Sequence, residues 1–185
     1  MSREICKSCG YPLRTCVCTA ISSVMKPCNI IVIQDIRERG HPKNTLKLLS
    51  LIISDIVIMY TNKHKQVEKF CDSDDAYLIY PIVDSQPIEE ARSTVSSSST
   101  LIFIDASWKQ ANAIYHANEW LQKLRCLHFA TPPQAQYDIR TAKKTHQLST
   151  IEAVSYSLSS LFNTPPEPFY SALSKLKQNW QKFQP

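Results

Sequence analysis

The chain has 185 residues, of which 43% are hydrophobic, so it can bury one sizeable core and is expected to form one domain with an appendage. Its formal net charge of +5 suits a polyanionic partner, although many ordinary proteins share such a charge. The N-terminus lacks an apolar stretch of signal-peptide length, and the longest apolar run, around residues 48–53, is too short to span a bilayer. We therefore expect a cytoplasmic protein.

The first predicted element is a cysteine-bearing appendage, residues 1–27. Four of the seven cysteines fall within thirteen residues. They are Cys6, Cys9, Cys16 and Cys18. Thiols stay reduced in the cytosol, so this cluster does not indicate disulfides, and four unligated thiols this dense would be reactive. Four thiolates can instead converge tetrahedrally on one zinc ion, and because they fill every coordination position, the predicted zinc is structural.

Residues 28–185 alternate short β-branched runs with helical patterns. The runs predict buried strands at residues 29–34, 55–60, 76–81, 101–105 and 124–129. Helices are predicted from Pro42 through Leu49, over residues 108–121 and 149–162, and after Pro168. This alternation predicts an α/β fold with a mostly parallel sheet, helices on both faces, and ligands at the carboxyl ends of the strands.

A polar loop, residues 34–45, follows the first predicted strand. Gly40 gives the loop a flexible corner. The side chains that could grip phosphates or touch a base are Arg37, Arg39, His41, Lys43 and Asn44. The alternative is a solvated loop in which Pro42 starts a helix.

The strongest predicted strand ends at Asp105, whose carboxylate is expected over the ligand crevice. Ser107 and Gln110 have the spacing of a capping box, and Trp108 could stack a base or be a core anchor. Residues 148–152 can likewise be interpreted as a helix cap or as a binding site, because Ser149 and Glu152 also have capping-box spacing. A capped helix start still presents N–H groups that can hold the carboxylate of an amino-acid moiety.

Taken in chain order, these motifs resemble the DTW-domain family of tRNA-uridine aminocarboxypropyltransferases. The resemblance rests on the four-cysteine cluster, the 34–45 loop, Tyr80-Pro81, the segment from Asp105 to Trp108, and residues 137–153, and it covers nearly the whole chain. Two positions depart from the family pattern. Ser107 replaces the family's threonine, which keeps the hydroxyl and loses a methyl group, and Ala106 stands where the family often has glycine.

The resemblance implies a SPOUT-like catalytic domain with a knotted C-terminal region. It also implies transfer of the 3-amino-3-carboxypropyl group of S-adenosylmethionine to N3 of a tRNA uridine, with release of methylthioadenosine. Asp105 would be the candidate base, in a catalytic motif with Ser107 and Trp108. The residues that would contact the co-substrate are Tyr80, Pro81, Leu148, Ser149, Thr150 and Glu152. Those that would face RNA are Arg37, Arg39, His41, Asn44, Arg140 and Lys143.

Two other functions remain open at this point. A SPOUT-type RNA methyltransferase would use the same co-substrate and present its methyl carbon, so product identity separates it from an aminocarboxypropyltransferase. A zinc-bearing RNA-binding module would use Asp105 and Glu152 only as caps and loop anchors, and binding of S-adenosylmethionine argues against it. With tRNA as the expected partner, no membrane and no stable protein partner are predicted.

Overall fold

The structure, a computed structural model, describes residues 4–41, 44–61, 74–137 and 148–182. Its strands are β1 (Asn29–Gln34), β2 (Val57–Tyr60), β3 (Ala76–Ile79), β4 (Gln86–Pro87), β5 (Thr100–Asp105) and β6 (Arg125–His128). Its helices are α1 (Thr45–Ile52), α2 (Trp108–His116), α3 (Glu119–Gln122), α4 (Thr150–Phe162) and α5 (Glu167–Gln181). Lys43, Arg140 and Lys143 lie outside the described residues.

The strands form one six-stranded sheet in the order β2-β1-β5-β3-β6-β4, with parallel pairing throughout. The predicted parallel α/β fold is therefore confirmed. β4 was not predicted, because two residues that include a proline carry no strand signal and fit only the edge of a sheet. The knotted C-terminal region stays a prediction.

Helices cover both faces of the sheet because successive strand residues point to opposite sides. Ile30 and Val32 of β1 join one core with side chains from α1, α4 and α5. Ile31 and Ile33 join the other core with side chains from α2 and α3. Strands buried on both faces explain the continuous apolar runs in the sequence.

The predicted helix over residues 108–121 is divided into α2 and α3. The side chain of Asn118 donates a hydrogen bond to the carbonyl oxygen of Ile114 at 2.6 Å. A short amide side chain that bonds to nearby backbone competes with the helical pattern, and here it marks the point where α2 has ended. Helical periodicity alone does not register this competition.

The N-terminal appendage packs against the domain. Tyr11 and Val17 are buried in the same core as α1, α4 and α5. The Asn179 side chain of α5 also donates a hydrogen bond to the carbonyl oxygen of Cys16 at 2.9 Å. The boundary at residue 27 stays a prediction. Across the described ranges, no helix is both long and apolar enough to cross a membrane.

Candidate functional site

A cavity of about 540 Å³ lies at the carboxyl ends of β3, β5 and β6. This is the edge where a parallel sheet commonly binds ligands. The predicted site residues that line it are Asn44, Tyr80, Pro81, Asp105, Ser107, Trp108, Leu148, Ser149 and Thr150. The structure therefore brings together residues that are far apart in the sequence, from the ends of β3 and β5 and the starts of α1 and α4.

The Asp105 carboxylate is the hub of this cavity. Its Oδ2 accepts hydrogen bonds from Gln34 Nε2 at 2.8 Å and from Asn44 Nδ2 at 3.3 Å. Its Oδ1 accepts a hydrogen bond from the Thr150 hydroxyl. Although Asp105 is only 9% exposed, no Lys, Arg or His within the described ranges forms an ion pair with it. Within the described residues, a nearly buried carboxylate is thus held by neutral donors.

Asn44 is fully engaged in local structure. As the N-cap of α1, its side-chain oxygen accepts hydrogen bonds from the backbone N–H groups of Leu46 at 2.7 Å and Lys47 at 3.3 Å. Its amide nitrogen donates to the Glu38 carbonyl oxygen and to Asp105. These bonds use the main donor and acceptor capacity of the amide, so Asn44 positions Asp105 and the α1 N-terminus.

Glu152 lies behind the cavity wall rather than on it. The side chain is 1% exposed, and its Oε2 accepts hydrogen bonds from the backbone N–H of Ser149 at 2.8 Å and from the Ser149 hydroxyl. The predicted capping box at the start of α4 is present. Oε1 accepts from the backbone N–H groups of Gln136 at 2.6 Å and Tyr137 at 3.2 Å, so Glu152 ties the loop before residue 138 to α4.

Aromatic side chains form one side of the cavity. The ring of Tyr80 stacks on Tyr115 with centroids 5.0 Å apart and lies 6.2 Å from Trp108. Trp108 is 47% exposed, so it stands at the cavity mouth and is not part of the core. An exposed indole next to a buried phenol offers a planar surface on which a base can stack.

His128 lines the same cavity and was missed in the sequence. Its Nδ1 lies 3.0 Å from the Ser85 hydroxyl, which fixes the orientation of the ring. The available signal was its place at the carboxyl end of a predicted strand, the same signal that identified Asp105.

The four predicted metal ligands converge in the appendage. The Sγ atoms of Cys6, Cys9, Cys16 and Cys18 all lie within 4.8 Å of one another. Neighbouring Sγ–Sγ distances are 3.6 Å and 3.7 Å, close to the edge of about 3.8 Å in a tetrahedral zinc–thiolate site. The donor set therefore fits a zinc ion.

A second cavity, of about 1050 Å³, lies between the appendage, α1 and the loop after β1. Arg39, His41 and Asn44, which were predicted to face RNA, line this cavity. Gly40 between them has φ +79°, a left-handed conformation that suits glycine.

Arg37 lies outside both cavities and is paired. Its Nη2 contacts Asp35 Oδ2 at 2.6 Å, and the guanidinium holds the pKa of the Asp35 carboxyl below its ordinary value. The basic residues of the loop after β1 therefore have different surroundings. Arg37 is bound within the loop, whereas Arg39 and His41 line the second cavity.

The chain is similar to known proteins over most of its length. A family model described as the DTW domain matches residues 3–184. The chain is similar to tRNA-uridine aminocarboxypropyltransferase 2 of Drosophila melanogaster, with 29% identity over 173 aligned positions that cover 88% of this chain and 68% of the fly protein. Proteins of the same name from Macaca fascicularis and Mus musculus are 23% and 24% identical, and the alignments cover 86% of this chain and 57% of each relative. No solved structure matches the chain.

Proposed function

The chain belongs to the DTW-domain family, and on this premise we propose that it is a tRNA-uridine aminocarboxypropyltransferase. It transfers the 3-amino-3-carboxypropyl group of S-adenosylmethionine to N3 of a tRNA uridine and releases methylthioadenosine. The relatives that carry this enzyme name support the proposal at the level of the family. The chain spans 57% of the length of the two mammalian relatives.

The observation that carries the proposal is the charge of the first cavity. The Asp105 carboxylate lines a cavity walled largely by apolar and aromatic side chains, and it has no ion-pair partner in the described part of the chain. A buried negative charge without a counterion favours a cationic ligand. S-adenosylmethionine supplies such a cation, a sulfonium that activates the carbons next to it.

The start of α4 supplies the complementary site for the amino-acid arm. Ser149 and Thr150 line the cavity at the N-terminus of a 13-residue helix, where backbone N–H groups and the helix dipole favour an anion. We assign the carboxylate of the co-substrate to this position. Holding that carboxylate at α4 while Asp105 faces the sulfonium would orient the arm across the cavity.

Asp105 also has capacity left to act on the acceptor. A carboxylate offers about four acceptor positions, and Gln34, Asn44 and Thr150 use three of them. The remaining position would accept a hydrogen bond from the imide N3–H of uridine and help to remove its proton. Ser107 and Trp108 line the same cavity and would contact the uridine, with Trp108 available for stacking.

The remaining assignments follow the same proposal. Tyr80, Pro81 and Leu148 would contact the adenosine part of the co-substrate, and Glu152 would keep the α4 start in place. Zinc in the four-cysteine site would be structural. Arg140 and Lys143, outside the described residues, stay candidates for RNA contact.

Two labelled co-substrates test the reaction. The protein is incubated with unmodified tRNA and S-adenosylmethionine labelled either in the carboxyl group or in the methyl group. We expect carboxyl label in the RNA, no methyl label, and methylthioadenosine as the co-product. Methyl label in the RNA with S-adenosylhomocysteine as the co-product would instead identify a methyltransferase, and mass spectrometry of the nucleosides identifies the modified uridine.

A further inference from the structure

We propose that the second cavity is an RNA subsite that binds a nucleotide next to the reacting uridine, with its phosphate on Arg14, Arg39 and Lys47. This inference rests on the proposed function for the identity of the reacting nucleotide. It adds the appendage to the RNA-binding surface, which the sequence motifs did not suggest. The binding itself can be measured without any group transfer.

The charged side chains that line the second cavity are mostly cations. Arg14, Arg39 and Lys47 line it, and Glu4 is the only carboxylate among the lining residues that the structure describes. None of the three cations forms an ion pair with any residue that the structure describes. A concave surface with several unpaired cations concentrates field lines and attracts a polyanion.

The aromatic side chains of the cavity favour a nucleotide over a simple anion. The Arg39 guanidinium lies 4.8 Å from the centroid of the Tyr60 ring, and Lys47 Nζ lies 4.2 Å from the centroid of the Tyr11 ring. Each cation therefore sits against an aromatic face on the cavity wall. Such pairs hold the phosphate with the cation and stack the base on the ring or the guanidinium plane.

The position of the cavity indicates which nucleotide it binds. Gln34 lines the second cavity and donates a 2.8 Å hydrogen bond to Asp105, which lines the first. Asn44 lines both cavities. One layer of hydrogen-bonded side chains therefore separates the two cavities, so an RNA strand with its reacting uridine at Asp105 would place a neighbouring nucleotide beside this wall.

The loop between Cys9 and Cys16 forms part of the wall of this subsite. Tyr11 and Arg14 lie between Cys9 and Cys16, and Lys47 of α1 donates a hydrogen bond to the carbonyl oxygen of Gly10 in the same loop. The loop thus forms one wall of the cavity and α1 forms another. Its volume of about 1050 Å³ is at the upper end of typical ligand sites, which suits part of a longer strand better than a small ion.

Charge reversal tests the subsite on the intact protein. Arg14→Glu and Arg39→Glu are expected to weaken tRNA binding about tenfold each and to reduce the slope of log affinity against log salt by about one unit. Both side chains are exposed, so the fold should persist. Lys123→Glu is the matched control, because it makes the same charge change at an exposed position on neither cavity. Affinity for S-adenosylmethionine should remain unchanged in all three variants.

Photocrosslinking identifies the contact directly. tRNA transcribed with 4-thiouridine should crosslink to peptides that carry Tyr60 or Tyr11. Unchanged tRNA affinity in Arg14→Glu and Arg39→Glu, or crosslinks confined to other surfaces, would overturn the subsite while leaving the labelling result intact. Binding of uridine monophosphate as tightly as tRNA would overturn the assignment to RNA. Crosslinks through Tyr60 without any label transfer would support RNA binding here and refute the proposed reaction.

Discussion

The hydroxyl of Thr150 donates a hydrogen bond to the carboxylate of Asp105, although the two residues are 45 positions apart. This bond joins the end of β5 to the start of α4. Because Gln34 and Asn44 bond to the same carboxylate, Asp105 connects β1, α1, β5 and α4. The proposed catalytic group is therefore also a structural one, and its variants must be read for both roles.

Asp105→Asn is expected to lower transfer by about 100-fold or more, because the amide removes the negative charge and the base. Affinity for S-adenosylmethionine should also fall, because the amide removes the negative charge that faces the sulfonium. The variant should also lose about 1–2 kcal/mol of unfolding free energy, because the new amide NH2 group opposes a donor. Single-turnover rates at saturating co-substrate and urea unfolding measure the two effects separately.

Thr150→Ser is the companion variant, because it keeps the hydroxyl that bonds to Asp105. It should retain most activity. Turnover equal to wild type in Asp105→Asn would remove Asp105 from the chemistry, and an equal loss in both variants would assign the effect to packing at the start of α4.

The purified protein is expected to hold about one zinc ion per chain, because four Sγ atoms lie within 4.8 Å of one another and three of their pairs are 3.6 Å or 3.7 Å apart. Cys16→Ser should lose the metal and lower the thermal midpoint. Cys126→Ala, a buried thiol outside the cluster, should keep it. Elemental analysis decides the matter: a metal-free wild type or a fully loaded Cys16→Ser protein contradicts the assignment.

Glu152→Gln is expected to lower the free energy of unfolding by about 1–3 kcal/mol, because an amide nitrogen would face backbone N–H donors from Ser149 or Gln136. Co-substrate affinity should fall too, since the α4 start lines the cavity. Glu167→Gln, at an exposed position in the first turn of α5, should change stability by less than about 0.5 kcal/mol. Equal stability of both variants in urea would contradict the role of Glu152.

Tyr156→Phe should lower stability by about 1 kcal/mol at neutral pH, because the Tyr156 hydroxyl donates a 2.5 Å hydrogen bond to Glu89. Burial raises the pKa of Glu89, but hydrogen bonds from Tyr156 and from the backbone N–H of Thr131 outweigh it, so the pKa lies below its ordinary value. The contribution of this carboxylate is therefore present above the ordinary value of 4.5 and is lost as pH falls through the lowered one.

Urea unfolding at pH 7 and near pH 3 checks this sign. The difference between wild type and Tyr156→Phe should be larger at pH 7 and should shrink in acid. Glutamine cannot ionise, so the stability difference caused by Tyr156→Phe should not depend on pH when it is measured in a protein that also carries Glu89→Gln. A gap that widens in acid would mean that Glu89 binds its partners in the protonated form.

The sheet and its ligand edge could be predicted because buried parallel strands leave continuous apolar runs, and Asp105 ends such a run. The four-cysteine cluster could be predicted because its members are close in sequence. The partners of Asp105 could not, because Gln34 and Asn44 reach it through strand register and helix capping over 71 and 61 residues. The placement of Glu152 behind the wall depends on a loop contact that no local pattern contains.

The hydrogen bond from Asn179 to Cys16 can form only late in synthesis. Asn179 is made 163 residues after Cys16, so the four cysteines leave the ribosome long before α5 exists. During that interval residues 6–18 lack α5 as a packing partner. Their four thiols can react with metal ions and oxidants before α5 is in place. Early zinc capture would protect the nascent chain, and α5 would then close over a loop that the metal has already shaped.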